Sequence, residues 1–109
     1  MSLPLLVRDF LAGKPLVRRS GRWPKVRAAW LKDHPTCEAC GGTAHLNVHH
    51  RIPVHVQPEL ELRSDNLMTL CERPTWNCHL WVGHDGNWRQ YRQHVDTAAG
   101  MIHEGLQET

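Results

Sequence analysis

The chain has 109 residues, of which 40% are hydrophobic and 22% are charged, and its formal net charge is +2 at pH 7. This length suits one domain and excludes two well-packed cores. No apolar run approaches the roughly 18 residues that a membrane span requires, so we expect no membrane partner. The apolar stretch at residues 3–7 is interrupted too soon for a signal peptide, which favours a cytoplasmic location.

The histidine and cysteine content is unusual for so short a chain, with nine histidines and four cysteines beside five tryptophans. In a reducing compartment, cysteines bind metal more often than they form disulfides. Small domains commonly replace part of an apolar core by a structural ion. We therefore predict a domain that is held together by metal.

The positive charge is concentrated near the N-terminus. Residues 1–32 carry eight basic side chains against Asp9 alone, whereas residues 33–109 carry five basic and ten acidic side chains. A basic segment joined to an acidic body is typical of chains that bind polyanions. We interpret residues 1–22 as a basic arm; a solvated tail that aids solubility is an equally good interpretation of the arm alone.

The first predicted elements are a helix and a strand. Pro24 occupies a first helical position, Val26 and Trp30 follow at helical spacing, and Pro35 stops the helix, so we predict a helix over 23–33. A second apolar segment, 46–52, predicts a short strand that ends before Pro53.

The second half of the chain predicts a loop over 53–66, a strand over 67–71, a compact helix over 76–82 and a last helix over 87–104. Asn87 is the expected N-cap of the last helix. Its apolar stripe would consist of Trp88, Tyr91, Val95, Ala98 and Ile102. We expect Trp76, Trp81 and Trp88 to pack in the interior.

Two pairs of cysteines predict a structural zinc site, because four thiolates form the tetrahedral ligand set that zinc prefers. The four ligands would be Cys37, Cys40, Cys71 and Cys78. A competing site would combine the first cysteine pair with His49 and His50. Adjacent strand residues point to opposite faces, so these two histidines cannot easily share an ion.

The order of the polar motifs is more specific than any one of them. After the first cysteine pair come Val48-His49-His50-Arg51-Ile52-Pro53, then Asp65-Asn66-Leu67, Leu70-Cys71 and Cys78-His79. This order closely resembles the HNH endonuclease family, over roughly residues 23–88.

The resemblance implies a role for each matching residue. His49 would be the first ligand of a catalytic divalent ion, His50 the general base that activates water, Asn66 the residue that fixes the loop and helps orient the base, and His79 a second metal ligand. The physical chemistry is consistent, because a neutral imidazole can accept a proton near neutral pH and a metal can neutralise charge on a phosphate.

The sequence departs from the family pattern in two ways. The interval from Asn66 to His79 is four residues longer than usual, which one insertion near residues 72–75 would explain. His84 follows His79 by five positions, which in an α-helix leaves the two side chains about 140° apart. His84 is therefore a candidate third ligand only if the helix widens or ends at Gly83.

The resemblance also implies a fold and a substrate. The expected fold is a small α+β domain over 23–109, with a ββα-metal (His-Me finger) core, a zinc staple and flanking helices. The expected substrate is DNA, cut to leave 5′-phosphate and 3′-hydroxyl ends in a bacterial or phage-infected cell, and the working ion is left open among Mg²⁺, Mn²⁺, Ni²⁺ and Zn²⁺. The candidate phosphate contacts are Arg18, Arg19, Arg22, Lys25 and Arg51. The oligomeric state is left open.

Two other classes of function remain compatible with the sequence. A zinc-ribbon-like module would bind nucleic acid through the basic arm without using the histidines for chemistry. A zinc-stapled protein scaffold would show no nucleic-acid affinity and little dependence on salt.

Overall fold

The computed structural model describes residues 19–107. Its helices and strands are helix α1 (Trp23–Asp33), strand β1 (Leu46–His50), two short 3-10 helices (Pro58–Leu60 and Ser64–Asn66), strand β2 (Leu67–Cys71), a π-helix (His79–Gly83) and helix α2 (Val95–Gln107). This is a small α+β fold, as predicted. Arg18 and most of the predicted arm lie outside the described residues.

The centre of the fold is an antiparallel hairpin of β1 and β2, in which His50 pairs with Leu67 and Leu46 pairs with Cys71. Every residue of β2 is buried, because helices cover both faces of the hairpin. On one face, the Trp30 indole of α1 donates a hydrogen bond to the Thr69 hydroxyl (3.0 Å), which in turn donates to the His34 carbonyl (2.8 Å). The α1 helix is thereby attached at the middle of β2.

The apolar core on the other face is small. Met68 and Leu70 of β2 meet Val82 of the π-helix and Val95 and Ala99 of α2. The remaining core volume is occupied largely by cysteines, of which Cys37, Cys71 and Cys78 are each at most 1% exposed. Burial of so few aliphatic side chains gives limited stabilisation, which is consistent with the prediction that metal replaces part of the core.

Several predicted boundaries were wrong. Strand β1 ends at His50 rather than at residue 52, because the next two backbone N–H groups turn towards Asn66: that of Arg51 donates to the Asn66 carbonyl (2.8 Å) and that of Ile52 to the Asn66 side chain (2.9 Å). The compact helix begins at His79 rather than at residue 76. Just before this start, the Asn77 side chain accepts a hydrogen bond from the backbone N–H of Leu80 (2.9 Å).

The last helix begins at Val95 and not at Asn87. Asn87 caps a turn instead, since its side chain accepts the backbone N–H of Arg89 (2.9 Å) and its carbonyl accepts that of Gln90 (2.9 Å). Trp88 and Tyr91 therefore lie before α2 rather than on its apolar stripe. None of the helices formed by residues 19–107 is long and apolar enough to cross a membrane.

If the four cysteines hold zinc, as the sequence predicts, its removal should unfold the domain. Structural zinc contributes on the order of 10–16 kcal/mol of apparent binding free energy in small domains, and the aliphatic core here is too small to compensate. We expect a chelator under reducing conditions to release zinc and abolish the cooperative thermal transition, and we expect added Zn²⁺ to restore it. An unchanged melting curve after measured loss of zinc would contradict the prediction.

Candidate metal centre

Two groups of metal-ligating side chains converge among residues 19–107. In each group, the potential ligand atoms lie within 4.8 Å of one another. The first group is Cys37, Cys40, Cys71 and Cys78, and the second is His49, His79 and His84.

The arrangement of the cysteine group is compatible with a zinc ion. Gly41 adopts a positive φ of 78° that allows the tight turn after the first pair of thiols. The sulfur atoms of Cys40 and Cys71 are 3.7 Å apart. In a tetrahedral site with zinc–sulfur bonds of about 2.3 Å, two sulfur ligands lie about 3.8 Å from each other.

Donors around the sulfur atoms also suit thiolates. The Gly42 backbone N–H points at the Cys40 sulfur (3.4 Å), and the Arg73 guanidinium lies 3.2 Å from the same atom. Charged and polar donors of this kind stabilise the negative charge of a zinc-bound thiolate. The cysteines are free of disulfides.

His49, the member of the histidine group that lies on β1, is fully buried. Neither of its ring nitrogens has a hydrogen-bond partner among the described residues. Burial lowers the pKa of His49 well below its usual value, and the nearby His79 and His84 lower it further, so the ring is neutral near pH 7. An unsatisfied buried nitrogen costs about 1–3 kcal/mol, and coordination of an ion would remove that cost.

Hydrogen bonds fix the tautomers of the other two histidines. The Nδ1 of His79 donates to the Glu72 carboxylate (3.0 Å), and the Nδ1 of His84 donates to the Gln90 carbonyl (2.7 Å). In neutral rings, the lone pairs are then on the two Nε2 atoms, which face each other at 3.3 Å. Such an arrangement is unfavourable unless a proton or a cation lies between the nitrogens, and it therefore fits a metal ion.

The π-helix explains how His79 and His84 meet although they are five positions apart. A π-helix bonds i to i+5, so one of its turns is wider than an α-helical turn. The chain then leaves the helix at His84, and the two imidazole centroids lie 4.9 Å apart. Their distances to His49 are similar, at 5.1 and 4.9 Å.

His50 faces the opposite side of β1 and has a different environment. Its Nε2 donates to the Glu61 carbonyl (2.9 Å), and its ring packs against Trp23 with centroids 4.6 Å apart. Burial lowers the pKa of His50 to about 4, and the charge of Arg19 contributes. The ring is therefore neutral near pH 7, and its Nδ1 lone pair can accept a proton.

Asn66 connects the start and the middle of the loop that follows β1. Its side chain accepts the Ile52 N–H (2.9 Å) and donates to the carbonyls of Ile52 (3.0 Å) and Leu60 (3.3 Å). Glu61, whose carbonyl orients His50, comes directly after Leu60. Asn66 thus positions the backbone on both sides of His50 without a hydrogen bond to its ring in the part of the chain that the structure describes.

The candidate phosphate contacts have different surroundings. Arg19, Arg22 and Lys25 are exposed at the start of α1, and the Arg19 guanidinium lies over the Trp23 ring, 5.4 Å from its centroid. Arg51 instead forms an ion pair with Asp96 of α2 (3.3 Å).

Sequence reasoning misjudged two tryptophans and missed two acids. Trp76 and Trp81 are 50% and 57% exposed, so the expectation that they pack in the interior was wrong. Trp88 is half-buried, and its ring centroid lies 5.0 Å from those of both His79 and His84. The missed acids are Glu61 and Glu72. The only sequence signal for Glu72 was its place directly after Cys71.

A comparison of the sequence with known families gives a match over the segment that contains these histidines. Residues 37–84 match the model of the HNH endonuclease family. The predicted resemblance is confirmed over this segment, which begins at the first cysteine and ends at His84. It indicates a nuclease-type function. No curated protein and no solved structure matched the chain.

Substitution of Gly83 should damage this centre. A Cβ at Gly83 would lie 2.9 Å from the His49 ring, whereas a Cβ at Gly100 would meet nothing within 4 Å. We expect Gly83→Ala to lower the free energy of unfolding by about 1–3 kcal/mol through overpacking. Gly100→Ala, the matched control in α2, should raise it by roughly 0.5–1 kcal/mol. Chemical denaturation measures both, and equal effects of the two substitutions would contradict this account of the His49 environment.

Proposed function

We propose that the protein is a metal-dependent HNH endonuclease that hydrolyses DNA phosphodiester bonds. In this proposal, β1, β2 and the π-helix form the ββα-metal core, the four cysteines hold a structural zinc ion, and His49, His79 and His84 hold a catalytic divalent ion. His50 is the general base.

One observation carries the proposal. A neutral histidine with its Nε2 held by a backbone carbonyl follows directly after a buried histidine whose ring nitrogens are unsatisfied. Because the two residues are neighbours at the end of β1, the fold offers a candidate base and a candidate metal ligand at adjacent positions. A non-catalytic zinc module would have no need of either arrangement.

Each residue has a definite task in the proposed hydrolysis. His50 takes a proton from the attacking water at Nδ1, while Glu61 keeps Nε2 protonated and the ring in place. Asn66 keeps the backbone around the base from shifting. When bound, the divalent ion would neutralise negative charge on the phosphate and on the leaving oxygen. Histidine ligands favour Zn²⁺, Ni²⁺ or Mn²⁺ over Mg²⁺, and the identity of the working ion is a matter for experiment.

The basic start of α1 is the proposed phosphate-binding surface. Arg19, Arg22 and Lys25 are exposed there, and Trp23 connects this end of the helix to His50. Non-specific contacts of this type give affinity that falls steeply with salt. Arg18 and Arg51 are proposed as further contacts, and the cytoplasmic location remains a prediction.

A plasmid-cleavage assay tests the proposal. We expect the wild-type protein to cut supercoiled DNA with at least one of Mg²⁺, Mn²⁺, Ni²⁺ or Zn²⁺ and not with EDTA. His50→Ala should reduce the rate by about 10²–10⁴-fold, as expected for loss of a general base.

His55→Ala is the matched control, because His55 is an exposed histidine of the loop after β1. It should cut at the wild-type rate, and both variants should retain zinc and a cooperative melting transition. Equal cutting by His50→Ala and the wild type would contradict the assignment of the base. Absence of cutting with every ion, together with salt-sensitive DNA binding, would favour the non-catalytic zinc module.

A further inference from the structure

We propose that Glu72 is a positioning residue for the candidate histidine metal centre, held in place by Asn47 and Arg27. The proposal rests on the proposed metal binding by His49, His79 and His84. Glu72 is the first residue of the segment 72–75, where the sequence predicts an insertion relative to the usual spacing of the HNH family.

The contact between Glu72 and His79 fixes which nitrogen of the imidazole faces the centre. The Glu72 carboxylate accepts the Nδ1 proton of His79 at 3.0 Å, and the two side chains are only 26% and 10% exposed. The His79 ring is therefore held with its Nε2 towards His84. A carboxylate behind a metal-binding histidine raises the basicity of the ligand and fixes its orientation.

A chain of hydrogen bonds in turn holds Glu72. The Asn47 amide donates to the same carboxylate oxygen that accepts from His79. The Asn47 carbonyl oxygen accepts from the Arg27 guanidinium (3.1 Å) and from the backbone N–H of Val48 (2.9 Å). Because two donors occupy that oxygen, the amide can only turn its NH₂ group towards Glu72. The carboxylate is thus oriented by a strand residue and a helix residue.

The charge balance of the centre gives Glu72 a second task. Three neutral imidazoles supply donor atoms but no negative charge, so a bound divalent ion would keep its full double charge in a half-buried site. Glu72 makes a direct contact with a histidine of this group, and its carboxylate would offset part of that charge. Loss of the charge alone should therefore weaken binding, even if a hydrogen-bond acceptor remains.

The chain positions of these residues also connect Glu72 to the cysteine cluster. Glu72 directly follows Cys71, and His79 directly follows Cys78. The sulfur atoms of these two cysteines lie in one cluster, and the two residues after them form the carboxylate–histidine pair. Binding of zinc to the cysteines would fix the separation of Glu72 and His79. The experiment must therefore use protein that retains its zinc.

Calorimetric titration of Mn²⁺ into protein that carries one equivalent of Zn²⁺, held by the four cysteines, tests the inference. We expect the wild type to bind one Mn²⁺. Glu72→Gln, which keeps an acceptor and removes the charge, should weaken binding, and Glu72→Ala should weaken it further, by about 10- to 100-fold relative to the wild type. Glu59→Gln is the control, because Glu59 is an exposed acid of the loop between the strands, and it should bind as the wild type does.

A second readout separates positioning from general stability. Nitrogen-15 NMR of the imidazoles should show His79 protonated at Nδ1 in the wild type and should show loss of that fixed tautomer in Glu72→Ala, while zinc content and the melting temperature before Mn²⁺ addition stay near wild type. Wild-type affinity in both Glu72 variants, with one Mn²⁺ bound, would overturn this inference and leave the proposed metal centre intact. Failure of the wild type to bind Mn²⁺, Ni²⁺ or Mg²⁺ would overturn both.

Discussion

The alternation of side chains along a β-strand is the constraint on which this site depends. At the end of β1, successive residues point to opposite faces, so His49 enters the cluster with His79 and His84 while His50 packs on Trp23. A shift of the β1–β2 register by one residue would exchange these environments. The pairing of His49 with Met68 and of His50 with Leu67 therefore determines which imidazole joins the histidine cluster, as the proposed ligand, and which packs on Trp23, as the proposed base.

The cysteine cluster is what makes that register dependable in so small a domain. Cys71 ends β2 and Cys78 leads into the π-helix, so a zinc ion bound there would hold the hairpin against the segment that carries His79 and His84. Each of these cysteines directly precedes a residue of the histidine site, Glu72 or His79. The two candidate sites are consequently built from neighbouring chain positions, so loss of zinc from the cysteines should disturb the histidine site.

Local signals in the sequence were enough to predict the two strands, the first helix, both ligand clusters and the contrast between the two adjacent histidines. The predictions failed where tertiary contacts decide. Asn87 has the chemistry of a helix cap, yet its side chain serves a turn that brings Trp88 against the histidines. The π-helix, which unites His79 with His84, depends on the bonds at its ends. Glu72 has no motif of its own, because its role follows from the fold around Asn47.

X-ray anomalous scattering from crystals grown with Zn²⁺ and Mn²⁺ tests the central claim most directly, namely that this chain forms two separate metal sites on one hairpin. We predict a zinc peak among the four cysteine sulfur atoms and a second divalent-ion peak, of manganese or of excess zinc, among ring nitrogens of His49, His79 and His84, on the face of β1 opposite to His50. Absence of the second peak, or its appearance away from these histidines, would contradict the account.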